Sequence, residues 1–120
     1  MPRERFSENH TFLPKRAFLS FEEIEKVVRS CMSLGLEKVR ITGGEPLLRK
    51  DLPMLIETLS SLGIEIALTT NASLLKKYAK DLHSAGLTRV TVSLDALDPE
   101  LHRTMSDSNI SVESVLEGIN

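Results

Sequence analysis

The hydrophobic repeat of this chain switches back and forth between about 3.6 residues and 2, the first three helix-period stretches each end at a glycine, and the whole unit recurs at roughly 25 residues. Few folds absorb such a pattern. A helix buries one stripe while an alternating strand pairs with its neighbours, so successive units are expected to build an α/β fold of parallel β/α repeats. The sheet would be either part of a barrel or an open doubly wound sheet.

The units are read as follows. Ser20-Phe21-Glu22-Glu23 is a capping box, in which the Ser20 hydroxyl takes the N3 amide while Glu23 reaches back. It predicts a helix with the stripe Ile24, Val27, Val28, Cys31 and Leu34, stopped by Gly35 in a left-handed cap. A strand from Lys38 to Thr42 then enters a glycine turn. A helix from Asp51 follows, with Leu52, Leu55, Ile56, Leu59 and Leu62 on one face before Gly63. Next come a strand from Ile64 to Thr69 and a helix of about Leu74 to Ala85, with Leu75, Tyr78, Ala79, Leu82 and Ala85 facing inward and Gly86 as its stop. A strand from Arg89 to Leu94 precedes Asp98-Pro99, an N-cap with proline at N1. Ser106 to Asn109 reads as a loop, and Ser111 opens a last helical turn carrying Val112, Val115, Leu116 and Ile119. Residues 1 to 19 show neither period, and their Pro2, Asn9 and Pro14 suggest an irregular loop ahead of the β/α units of residues 20 to 120.

Strand parity locates the chemistry. Val39 and Ile41 face away from Arg40 and Thr42; Ile64, Ile66 and Leu68 oppose Glu65, Ala67 and Thr69; Val90, Val92 and Leu94 oppose Thr91, Ser93 and Asp95. A parallel strand covered on both faces reads as continuously apolar, whereas these have one polar face that should line something wet. In a barrel this places Arg40, Thr42, Thr69, Thr91, Ser93 and Asp95 in the lumen near the carboxyl ends of the strands, where barrel enzymes keep their sites.

The first strand runs directly into Thr42-Gly43-Gly44-Glu45-Pro46. Paired glycines permit φ > 0 and let a ligand approach the main chain, and Pro46 fixes the exit. Glycine pairs usually mark ordinary turns, but this ordered set after a strand is much rarer. It resembles the GGEP motif of radical S-adenosylmethionine (SAM) enzymes. Phe12-Leu13-Pro14-Lys15, Phe21-Glu22-Glu23-Ile24, Lys38-Val39-Arg40, the GGEPLLR run to Arg49, Leu68-Thr69-Thr70-Asn71 and Val92-Ser93-Leu94-Asp95 are most similar to the GTP 3′,8-cyclase branch.

That resemblance implies a partial TIM-type radical SAM barrel, a [4Fe-4S] cluster and SAM as cofactors, and GTP as substrate. It also implies the first step of molybdenum cofactor biosynthesis, in which GTP becomes (8S)-3′,8-cyclo-7,8-dihydroguanosine 5′-triphosphate after a 5′-deoxyadenosyl radical takes a hydrogen. It further implies that Gly43, Gly44, Glu45 and Ser93 contact SAM, that Arg40 and Thr69 contact GTP, and that Thr42, Thr91 and Asp95 support them from the lumen. Arg40 offers a planar fork for phosphate or purine oxygens, Ser93 a hydroxyl for ribose or carboxylate, and Glu45 a carboxylate for an ammonium or for orienting the turn. Each has a structural alternative: Thr69 and Ser93 satisfying strand-end amides, Arg40 pairing with Glu65, Glu45 capping the next turn.

The family's CxxxCxxC cluster motif ends just before a Met-Pro pair, and this chain begins Met1-Pro2. The expectation is therefore an internal fragment that lacks that motif and the C-terminal part, holds no metal by itself and turns over no GTP alone. One cysteine, Cys31, cannot ligate a cluster and is expected to be a small core residue. A homodimer is the family expectation for the complete enzyme. Two readings from other classes stay open. One is another radical SAM enzyme, such as a peptide or haem-pathway maturase; the other is a non-catalytic half-barrel binding module.

Composition is consistent with this and narrows it. With 120 residues, 41% hydrophobic, 27% charged and a formal net charge of −2, the chain suits one modest domain without the basic excess of a nucleic-acid-binding surface. No apolar run approaches the roughly 20 residues of a membrane span, and the first residues lack a signal-peptide core, so a cytoplasmic location is expected. His10, His83 and His102 show no zinc spacing. Lys76, Lys77 and Lys80 read as a solvated helix face, and Arg49-Lys50 as surface or anion-facing. Ala72 stands where the family usually has glycine after Thr-Thr-Asn. If the position is left-handed, alanine costs about 1 kcal/mol there.

Overall fold

A computed structural model describes residues 18–106 and 109–120. The Phe12-Leu13-Pro14-Lys15 block, His10 and nearly all of the predicted N-terminal loop lie outside the described residues, as does the middle of the loop predicted after Ser106.

Each predicted element forms, with shifted ends. Helix α1 (Phe21–Met32) starts at the full capping box: Glu23 N donates to Ser20 Oγ at 3.2 Å and Ser20 N to Glu23 Oε2 at 2.7 Å. Strand β1 (Lys38–Ile41) is followed by one 3-10 turn (Pro46–Leu48), which the sequence pattern did not reveal. Helix α2 (Leu52–Ser60), strand β2 (Glu65–Thr70), helix α3 (Leu75–Ser84) and strand β3 (Arg89–Val92) come next. Helix α4 (Pro99–Ser106) is capped by Asp98, whose Oδ1 accepts from Leu101 N at 2.8 Å. Helix α5 (Val112–Ile119) is longer than the single turn expected; Ser111 Oγ accepts from Ser114 N at 3.2 Å to begin it.

The sheet has the order β1-β2-β3, with both pairs parallel. Lys38 lies opposite Glu65 and Arg40 opposite Ala67, while Ala67 faces Arg89 and Thr69 faces Thr91. Helices α1, α2, α3 and α5 follow one another as a single layer, each packed on the next, and α2 rests on β2. Sequential strand order with one helical layer is the geometry of a barrel segment. A doubly wound sheet would reverse its order and carry helices on both faces.

The core lies between that layer and the apolar strand face. Leu52, Ile56, Leu59, Ile66, Leu68, Leu82 and Val115 are its fully buried members, each contributing about 1.5–3 kcal/mol through loss of contact with water. Some predicted stripe positions behave otherwise. Val27 (54% exposed) and Leu34 (87%) point to solvent, as does Val90 on the outer strand, and Cys31 is only half-buried. The chief neighbour of α1 is α2, and no strand flanks β3 among the described residues, so helical or strand periodicity there exceeds the surface available to cover it.

Candidate functional site

At the carboxyl ends of the strands lies a groove of about 500 Å³. Thr42, Gly43 and Gly44 beyond β1, Thr69, Thr70 and Asn71 at the end of β2, and Ser93 and Asp95 beyond β3 form one wall. His102, Met105, Ser106, Ile110 and Val115 form the other. The parity rule thus brings together Thr42, Thr69, Ser93 and Asp95 with the diglycine turn, on three separate strands.

Of the two glycines only Gly43 has positive φ, at 153°. A Cβ at either Gly43 or Gly44 would meet nothing within 4 Å, so their main chain borders open space on the groove. Glu45, next along, is engaged internally. Its Oε1 accepts from Leu47 N at 3.0 Å and from the Thr70 hydroxyl at 2.8 Å, and its Oε2 accepts from Asn71 N at 2.8 Å. The carboxylate ties the turn after β1 to the turn after β2, the orienting role of the two expected of it, and Glu45 does not line the groove.

That second turn explains Ala72. Thr70 Oγ1 accepts from Ala72 N at 3.1 Å, and Asn71 Oδ1 takes both Ser73 N (3.0 Å) and Ser73 Oγ (2.7 Å). The chain must reverse there, and Ala72 is left-handed, φ 61°, and fully buried. Local bonds hold a conformation that costs an L-residue about 1–2 kcal/mol.

Arg40 spans the polar sheet face: its Nη1 donates to Thr69 Oγ1 at 3.2 Å and to Thr91 Oγ1 at 3.3 Å. Its expected alternative partner is taken. Glu65 bridges Lys38 at 3.0 Å and Arg89 at 3.3 Å. Within the strands this face carries Lys38, Arg40 and Arg89 against Glu65, and Asp95 follows beyond β3, which leaves a net positive strip suited to an anion. Lys38 and Arg89 were not singled out by sequence, although their parity with Arg40 and Thr91 carried the signal. Thr91 supports Arg40 without lining the groove.

Other candidates resolve simply. Arg49 donates through Nη2 to Leu19 O at 2.5 Å and stacks 4.6 Å over Phe21, so it fastens the start of α1 instead of facing an anion. Lys76, Lys77 and Lys80 are exposed. Asn71 and His102 line the groove and were missed. Asn71 directly follows β2, at the end of the Leu68-Thr69-Thr70-Asn71 block, whereas nothing in the spacing marks His102, whose placement depends on how α4 folds back over the strand ends.

Parallel β/α units with a diglycine turn and polar side chains converging at the strand ends define a barrel-type ligand site. The sequence matches the Radical SAM superfamily over residues 5–120, and the chain belongs to that family. It is 50% identical to a GTP 3′,8-cyclase of Acidothermus cellulolyticus over 99% of its own length and 33% of that protein. Enzymes of the same name from Staphylococcus carnosus and Staphylococcus epidermidis are 50% and 48% identical, again over 99% of this chain and 36% of theirs. The chain thus spans about a third of the length of the curated relatives it matches.

The family implies a [4Fe-4S] cluster and SAM. The cluster does not fit the residues present: Cys31 is the sole cysteine, and no group of three or more His, Cys, Asp or Glu among the described residues could hold a metal. SAM fits better, since the open diglycine backbone, the Ser93 hydroxyl and Asp95 offer acceptors and donors for ammonium, carboxylate and ribose groups.

Proposed function

We propose that this chain forms the SAM- and nucleotide-holding segment of a GTP 3′,8-cyclase acting in molybdenum cofactor biosynthesis. The observation that carries the reading is Arg40, held by Thr69 and Thr91 across the sheet, beside a groove that opens onto Gly43 and Gly44. In this reading Gly43, Gly44 and Ser93 hold SAM, and Glu45 acts by shaping their turn. Arg40 and Thr69 receive GTP, and Thr42, Thr91 and Asp95 complete the walls.

SAM, when bound, supplies the radical chemistry, and the residues of this chain bind and orient. A guanidinium fixed by two hydroxyls loses little freedom on meeting an anion, so the ligand is placed without further ordering of the side chain. Such placement matters, because misplacing reactants by about 1 Å can lower a rate roughly a hundredfold. The Lys38, Arg40 and Arg89 strip favours a polyphosphate over a neutral nucleoside. The 50% identity to two GTP 3′,8-cyclases favours the cyclase over maturases acting on peptides or haem precursors. A cytoplasmic location and a homodimeric complete enzyme belong to the same proposal. Consistent with the former, no helix among the described residues is long and apolar enough to cross a membrane.

Replacing the aligned segment of the Staphylococcus carnosus relative by these 120 residues tests the proposal directly. The chimera should consume GTP in the presence of SAM and a reductant. Arg40→Ala should chiefly raise the KM for GTP, and Ser93→Ala that for SAM. A folded chimera that carries its cluster and leaves GTP untouched would refute the assignment, and sedimentation of the active chimera tests the dimer.

A further inference from the structure

Among the described residues two buried side chains are polar, Thr70 and His102. Thr70 is satisfied through Glu45 and Ala72. His102 is not: it is 4% exposed, it forms part of the groove wall, and its Nδ1 has no hydrogen-bond partner among the described residues. Folded proteins seldom leave such an atom dry and unpaired, because the lost hydration is not replaced. A residue there only to fill space would need no nitrogen.

The surroundings suggest what the nitrogen serves. His102 shares its wall with Ser106 and with the apolar Met105, Ile110 and Val115, so the wall is mostly apolar. The facing wall is polar, with Thr42, Thr69, Asn71, Ser93 and Asp95. A ligand matching both needs a hydroxyl-rich part for the strand ends and a flat, mostly apolar part with a hydrogen-bonding edge for α4. A purine nucleoside is divided in this way.

We propose that His102 is the groove's contact with the purine edge, hydrogen-bonding the base of a nucleoside whose ribose lies along the strand ends. This rests on reading the groove as a nucleotide-cofactor site. A neutral imidazole offers one donor and one acceptor, and a half-turn of the ring exchanges Nδ1 with Cδ2 in nearly the same space, so either kind of purine edge can be met. The base could be the adenine of SAM or the guanine of GTP; the shared chemistry is the purine edge.

The test is an NMR titration of the 15N-labelled 120-residue chain with adenosine, with guanosine and with methionine. It is repeated for His102→Phe, which keeps the ring and removes both nitrogens, and His102→Asn, which restores a polar group near the Nδ1 position. A nucleoside should shift the His102 ring nitrogens together with the amides of Gly44 and Ser93, while methionine leaves the ring unmoved. His102→Phe should bind the nucleoside about tenfold more weakly, the scale of one lost hydrogen bond, and His102→Asn should recover part of that. Whichever nucleoside binds more tightly identifies the source. If the Gly44 and Ser93 amides respond while the ring does not, or if His102→Phe binds as tightly as the parent, the assignment of His102 is overturned and the groove reading survives. If those amides respond to none of the three, the groove reading fails and takes this inference with it.

Discussion

Removing the Glu45 carboxylate should loosen both turns that frame the groove. The buried Thr70 hydroxyl loses its acceptor, and the amides of Asn71 and Leu47 lose theirs. Charge-assisted bonds of this kind are worth roughly 1.5–3 kcal/mol each, and nearer 1 where water can replace the carboxylate. Thr70 is 2% exposed while Asn71 is half-buried, so only the first carries the larger value. Glu45→Ala should therefore destabilise the fold by about 3 kcal/mol, or about 12 °C in melting temperature at roughly 4 °C per kcal/mol for a chain of this size. Glu45→Gln keeps an oxygen for Leu47 and Thr70 but presents an amide donor to the Asn71 N–H, and should cost about 1–2 kcal/mol. Thermal unfolding followed by far-UV circular dichroism measures both. If Glu45→Ala melts within about 2 °C of the parent, the carboxylate does not hold the turns together and the account of the groove's frame is wrong.

Gly118→Ala should be severe, since its Cβ would lie 2.2 Å from the Ala72 carbonyl oxygen, a backbone atom with nowhere to go. A loss of about 2–3 kcal/mol is expected in denaturant titrations, and a shift below about 0.5 kcal/mol would contradict the close packing of α5 on that turn. Arg40→Ala removes an exposed side chain held by neutral hydroxyls, so stability should change by less than about 0.5 kcal/mol while the affinity of the chain for inorganic triphosphate falls; equal triphosphate binding by parent and variant would count against the cationic strip. Anaerobic reconstitution with iron and sulfide should leave the 120-residue chain without a stoichiometric [4Fe-4S] absorption band, because Cys31 is its only thiol. Appearance of that band would mean that a single thiolate and non-sulfur ligands suffice to hold the cluster, contrary to the ligand count.

The β/α alternation, the capping box at Ser20, the inward stripe of α2 and the convergence of Thr42, Thr69, Ser93 and Asp95 were legible in the sequence. Each rests on local periodicity or on strand parity, both set by backbone geometry within a few residues. The left-handed Ala72 was legible only as a departure from an expected glycine. The occupation of Glu45 by Thr70 and Asn71, and of Glu65 by Lys38 and Arg89, was not, since these partners are 24 to 27 residues apart and meet only through parallel register.

What the sequence by itself determined is the order and kind of elements and which strand face is polar, because short-range sterics and hydrophobic period suffice for those. Tertiary structure alone decided that α1, α2, α3 and α5 lie in one layer, that α4 and α5 close the groove, and that His102 sits buried with a nitrogen unpaired among the described residues. Burial and hydrogen-bond satisfaction depend on what distant segments bring to a position, and no local pattern encodes that.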